Sequence, residues 1–181
     1  MLRYLIIGNA IAATGCIEGI RAHDADGEIT AVGEESRPAY ARPLISYLLE
    51  GKAKPAHMGY RPEDFYERQR VQTLCGTRAT RIDPQAHTVA LDDGRALPYD
   101  RLMLATGSRP IVPAIAGLES VKSRHTFYTL DDALTLQSSL TPDSRVLIVG
   151  AGLIGLKCAE GVHGRVGRIA VVDRAEQILP S

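Results

Sequence analysis

Residues 145–173 read RVLIVGAGLIGLKCAEGVHGRVGRIAVVD. An apolar run, 145–149, meets Gly150, Gly152 and Gly155 in the spacing G-x-G-x-x-G. A helical stretch to about Val162 follows, and a second apolar run, 168–172, ends at Asp173, 23 positions after Gly150. Strand, glycine turn, helix, strand and acid in this order form the βαβ unit of a nucleotide-binding sheet. Gly150 permits the tight turn, Gly152 lets a pyrophosphate approach the backbone, and Gly155 lets helix and strand pack closely. The helix start offers unpaired N–H groups and the positive end of its dipole to phosphate. Asp173 is placed to accept hydrogen bonds from ribose hydroxyls and to repel a 2′-phosphate. That favours NADH over NADPH, although Arg174 beside it pulls the other way. The alternative for this stretch is a glycine turn with a purely structural role.

The same device opens the chain. Residues 2–7 (LRYLII) form a short strand running into Gly8, with a helix expected over 10–23. "GEITAVGEE", residues 27–35, supplies a second strand ending in Glu34 and Glu35. Here the turn reads G-x-A-x-x-A, with Gly8, Ala10 and Ala13. Ala10 puts a methyl group where closest approach occurs, whereas an alanine is admitted at the third position. Two readings stand: an adenine-dinucleotide site, or bare strand–helix packing.

Between the two copies, "SRPAYARPLISYLLEGK" (36–52) reads as a loop and then a helix marked by Pro43. A short polar helix is expected near 63–69, strand pieces at 71–75 and 78–82, and a hairpin around Asp93-Gly94. A further strand, 101–105, ends at Thr106-Gly107; a connector holding Pro110 and Pro113 leads to a helix over about 130–140.

The 181 residues are 45% hydrophobic, enough for a core, and suit one domain or two small ones. The 21 basic and 21 acidic residues cancel without runs of either sign, which argues against nucleic acid or an acidic membrane surface as partner. Cys16, Cys75 and Cys158 are scattered and the five histidines show no metal spacing, so no metal site is expected. No apolar run reaches the roughly 18 residues of a membrane span, and neither a basic stretch nor an unbroken apolar segment marks a secretory signal. A soluble, cytoplasmic protein is expected.

Taken in order, the first βαβ (Gly8 to Glu35), "RPLISYLLEGK", "YDRLMLATGSRP" and the second βαβ (Gly150 to Asp173) resemble the FAD- and NAD(P)-dependent pyridine nucleotide oxidoreductases. That family includes NADH oxidases, ferredoxin and rubredoxin reductases and the NADH-binding part of nitrite reductase. The resemblance implies an α/β fold with two Rossmann-like, three-layer ββα lobes, the second incomplete. Residues 1–112 would be the FAD lobe, 113–142 a connector and 143–181 part of the NAD(P) lobe. It also implies that Gly8, Ala10 and Ala13 face the FAD pyrophosphate and Glu34 or Glu35 its ribose. Arg42 and Pro43 would lie along the flavin, with Thr106 and Gly107 where the chain passes the dinucleotide. The plain alternatives are a solvated charge for Arg42 and a strand-end turn for Thr106-Gly107.

Three departures qualify the resemblance. No cysteine stands in "ARPLISYLLEG", so no thiol relay is available beside the flavin. Relatives carry a glutamate just after the last glycine of the second motif, where this chain has Lys157. Lys157 is either a cation near the flavin, stabilising the reduced ring, or a solvated helix lysine. The chain also stops at "AEQILPS", midway through the second lobe, before a returning FAD segment. The expected function is therefore hydride transfer from NADH to FAD and onward to an unidentified acceptor, a protein or a small molecule, in an oxidoreductase or an N-terminal portion of one completed by a C-terminal polypeptide. The rivals are a non-catalytic nucleotide-binding module and an inactive truncated product.

Overall fold

A computed structural model describes residues 1–179. In chain order the elements are β1 (Arg3–Ile7), α1 (Ile11–His23), β2 (Glu28–Gly33), α2 (Leu44–Leu49), α3 (Phe65–Arg68), β3 (Val71–Cys75), β4 (Ala79–Asp83), β5 (Thr88–Leu91), β6 (Ala96–Pro98), β7 (Arg101–Leu104), α4 (Leu130–Ser139), β8 (Arg145–Val149), α5 (Leu153–Val162) and β9 (Arg168–Val172). Short 3₁₀ turns occupy Pro55–His57 and Leu118–Ser120. The chain divides into two compact units, one of residues 1–40 and 59–108, the other of 41–58 and 109–179.

In the first unit, Leu5, Ile6 and Ile7 are all buried, as an unbroken apolar run requires when a strand is covered on both faces. β1 lies inside a four-stranded parallel sheet of order β3-β2-β1-β7. Leu5, Ile7 and Val32 pack on one face against Val89 and Leu91 of a second, antiparallel sheet of order β4-β5-β6 and against Tyr99, which directly follows it. Ile6, Ile29 and Ala31 pack on the other face against Ala13 and Ile17 of α1 and Phe65 of α3. Antiparallel sheet, parallel sheet and helix are the three layers the sequence predicts. The hairpin falls at Asp93-Gly94, with Gly94 at φ +86° and Val89 paired to Leu97 across it.

In the second unit, β8 and β9 pair in parallel, from Arg145 opposite Arg168 to Val149 opposite Val172. Ile148 and Ile169 face a cluster made by Cys158 and Val162 of α5, Leu136 of α4 and Leu49 of α2. Residues 41–58 belong to this unit. The opposite sheet face, carrying Leu147, Val149 and Val172, is exposed. Among the described residues it has no counterpart to the antiparallel layer of the first unit. α4 is closed by a complete capping box: Thr129 Oγ1 accepts the Asp132 N–H at 3.0 Å, and Asp132 Oδ2 accepts the Thr129 N–H at 2.9 Å. No described helix is long and apolar enough to cross a membrane.

Candidate functional site

In the first unit the parallel strands all end at one edge, and the chain leaves β1 toward β2 on one side while β7 joins on the other. Such a reversal of strand order opens a crevice at the carboxyl ends of the strands. Gly8 lies in it, with φ +117° and its N–H donating to Val32 O at 2.8 Å. A Cβ at Gly8 would stand 2.0 Å from the Ala105 carbonyl oxygen, so glycine is required both for conformation and for room. That contact brings Ala105 and the Thr106 amide, just after β7, against the first turn, and Gly107 follows at φ +68°. Ala105 N–H donates to Ile7 O at 2.7 Å and closes the join.

Ala10 is the N-cap of α1 at φ −130°, ψ −159°, extended backbone that any residue adopts, and no side chain caps the helix there. The methyl is only half-buried. Ala13, at the third motif position, is fully buried among Ile6, Ile17 and Phe65 and serves the core. Glu34 directly follows β2, with its carboxylate 3.8 Å from the Arg78 guanidinium. Glu35 accepts a hydrogen bond from the Tyr40 hydroxyl at 2.6 Å. Sequence reasoning singled out neither Tyr40, whose hydroxyl engages Glu35, nor Ala105, which reaches the Gly8 turn only through the fold.

The second turn repeats the geometry. Gly150 has φ +112° and donates to Val172 O at 2.8 Å, matching Gly8 and Val32. Gly152 is the N-cap of α5 without a side-chain cap, and a Cβ built on it meets nothing within 4 Å. Gly155 is the tight position here, since a Cβ would fall 1.9 Å from Gly150 O. Asp173, at the end of β9, accepts the Ala175 N–H at 2.7 Å and the Ala151 N–H at 2.6 Å. These two bonds hold its carboxyl below the usual range, so it is an anion beside the turn. A carboxylate has about four acceptor positions, which leaves capacity for further donors.

Both turns therefore fit a diphosphate. Each helix begins uncapped at open backbone behind a positive-φ glycine, whereas α4, which follows no glycine turn, is sealed by Thr129 and Asp132. Arg42 and Pro43 lie in the second unit, Pro43 as the N-cap of α2. The Arg42 guanidinium sits 4.7 Å above the Tyr128 ring and donates to Tyr128 O at 3.1 Å. Lys157 pairs with Glu160 at 2.5 Å and lies 5.4 Å from the centre of the Tyr47 ring. Glu160 holds the Lys157 ammonium above its ordinary value. Among the described residues no cluster of three or more His, Cys, Asp or Glu side chains is arranged to hold a metal ion.

Known proteins share this arrangement. The chain is 34% identical over 176 residues to the NADH-dependent phenylglyoxylate dehydrogenase subunit epsilon of Aromatoleum evansii, covering 97% of this chain and 42% of that one. It is 35% identical over 178 residues to putidaredoxin reductase of Pseudomonas putida, covering 97% and 42%. The crystal structure of a covalent putidaredoxin reductase–putidaredoxin complex matches with a TM-score of 0.87 at 33% identity, over 98% of this chain and 43% of that one. A water-forming NADH oxidase from Lactobacillus brevis bound to NADH shares the fold, with a TM-score of 0.88 at 24% identity over 99% and 41%. The chain thus spans about two-fifths of the length of these relatives. Residues 2–181 match the family model described as pyridine nucleotide-disulphide oxidoreductase. With both glycine turns in place and the match running along the chain, this protein belongs to the pyridine nucleotide-disulphide oxidoreductase family.

Proposed function

We propose that this chain is the nucleotide-binding portion of an FAD-dependent NADH oxidoreductase, with one cofactor on each turn. The observation that carries the reading is the repeated turn: Gly8 bonded to Val32 and Gly150 bonded to Val172, each opening an uncapped helix. FAD would lie on Gly8, Ala10 and the start of α1, with Thr106 and Gly107 beside it. Of the two acids, Glu34 suits the ribose better, because the Glu35 carboxylate already accepts from Tyr40. NADH would lie on Gly150, Gly152 and Gly155, with Asp173 toward its ribose. The anionic Asp173 disfavours a 2′-phosphate, and hence NADPH, by like-charge repulsion. When bound, FAD supplies two-electron redox chemistry between the reduced nicotinamide and an acceptor. The residues of this chain bind and orient the two nucleotides.

The acceptor we propose is a small redox protein, on the strength of the relatives named as reductases of such proteins. A C-terminal polypeptide would complete the second lobe, and the three thiols, free in the structure, suit the cytoplasm. Arg42 and Pro43 are proposed to line the flavin. Lys157 is proposed as a cation that tunes it; a flavin midpoint potential unchanged by Lys157→Met in the completed enzyme would remove that role. A module that holds nucleotides without turnover is the second reading. The test is to load the purified chain with FAD, remove the excess, and add NADH without air. Retained flavin colour bleached by NADH supports the oxidoreductase, retained colour without bleaching supports the module, and no retention contradicts both.

A further inference from the structure

Asn9 stands between Gly8 and Ala10, and its side chain is turned back onto the sheet. Its Oδ1 accepts the Tyr66 hydroxyl at 2.7 Å, and its Nδ2 donates to Cys75 Sγ at 3.6 Å. Tyr66 Oη in turn accepts the Ala39 N–H at 3.2 Å. The bonds run with one polarity, from the Ala39 amide through Tyr66 and Asn9 to the thiol. They tie together the segment after β2, the helix α3, the glycine turn and the end of β3. Burial pushes the Tyr66 phenol above its ordinary value, so it keeps the proton it donates. The packing is equally close: a Cβ at Gly33 would fall 2.8 Å from Asn9 Cβ. Phe65 stacks edge-on against Tyr66 at 5.1 Å and fixes the ring from the core side.

The second turn has no tie through a side chain of its own; there Asp173 accepts the Ala151 backbone N–H at 2.6 Å. The residue corresponding to Asn9 is Ala151, which has no polar side chain, and the position of closest approach is the bare Gly152. The tether thus accompanies the one turn that carries a methyl where a diphosphate comes nearest.

We propose that Asn9 and Tyr66 are positioning residues that hold the Gly8–Ala10 turn down on the sheet, so that a diphosphate clears the Ala10 methyl. The inference rests on the reading that this turn holds FAD. It assigns to residues outside the glycine fingerprint the task of accommodating the alanine within it.

The test is FAD affinity, measured by titrating the chain with FAD and following flavin fluorescence. Tyr66→Phe keeps the ring and removes the hydroxyl, and Asn9→Ala removes the other end. Each should weaken FAD binding about tenfold, because each removes the Tyr66–Asn9 bond at the centre of the tie. The pair should cost no more than either alone, because both break the same tie. Adding Ala10→Gly to either variant should restore most of the lost affinity, which repair of a merely structural defect would not do. NADH affinity should not move in any of them.

An unchanged FAD affinity in Tyr66→Phe, or a loss that Ala10→Gly fails to repair, overturns the inference. If Tyr66→Phe does not fold, Asn9→Ala and its pair with Ala10→Gly decide in the same way. Wild-type chain that takes up no FAD overturns the functional reading and this inference with it. Wild-type binding with unaffected variants sinks the inference alone.

Discussion

Gly8 is held by two independent constraints, a positive φ and the Ala105 carbonyl oxygen 2.0 Å from where a Cβ would stand. Either alone disfavours a side chain. Together they place Gly8→Ala among the strongly destabilising substitutions, at about 3 kcal/mol from backbone strain and overpacking combined. A chemical-denaturation midpoint lowered accordingly, with FAD uptake lost, is the expected result; a variant as stable as wild type would show that the β7 join is looser than described. The alanines of the same motif follow different physics. Ala13 is accepted because its methyl is consumed by the core under α1, and Ala10 because its extended backbone needs no glycine. The motif residues were legible in the sequence, since their spacing alone marks them. Asn9 was visible there only as a polar break in an apolar run. Its partner Tyr66 lies 57 positions away, and no local pattern links the two.

At the scale of elements, β8 and β9 run over the residues their sequence predicts, because Gly150 and Asp173 punctuate them sharply. α1 starts one residue later than expected and β2 ends two residues earlier, because the terminal residues of an element lack the full set of backbone bonds and taper into the adjoining turn. The strand order β3-β2-β1-β7 was not legible, because β7 joins β1 through pairs nearly a hundred residues apart. Side chains rather than periodicity secure that join. Asp100, just before β7, accepts Arg3 Nη2–H at 2.8 Å, Arg3 Nε–H at 3.1 Å and the Arg3 backbone N–H at 2.8 Å. The Arg3 guanidinium, and then its backbone N–H, hold the Asp100 carboxyl well below the usual range. With a folded value depressed below the unfolded value of about 3.9, the stabilisation is complete above that pH and is lost as pH falls through the folded value. Asp100→Asn should therefore melt below wild type at neutral pH, and the gap should close on acidification below about pH 4. A gap that persists unchanged into strong acid would mean that the carboxylate charge contributes nothing to the join.

At the scale of the molecule, one topological unit is used twice with different finishing. The first copy has a helix on one sheet face and an antiparallel sheet on the other, so its strands are buried on both sides. The second has helices on one face, while Leu147, Val149 and Val172 stand exposed on the other. The family match covers both copies, and this chain spans about two-fifths of its relatives. Its repeated glycine turn was readable from sequence because each copy is a local device. The allocation of residues 41–58 to the second unit was not, because it depends on Leu49 packing against α4 and α5 from far along the chain.

The central claim is that these are two separate cradles, one for each nucleotide. Equilibrium titration of the chain with FAD and with NADH, each alone and then in the presence of the other, measures it directly. The account predicts one site for each per chain, without competition. Ala10→Val should remove FAD binding alone and Gly152→Val should remove NADH binding alone. A single shared site, or loss of both nucleotides from either substitution, would contradict it.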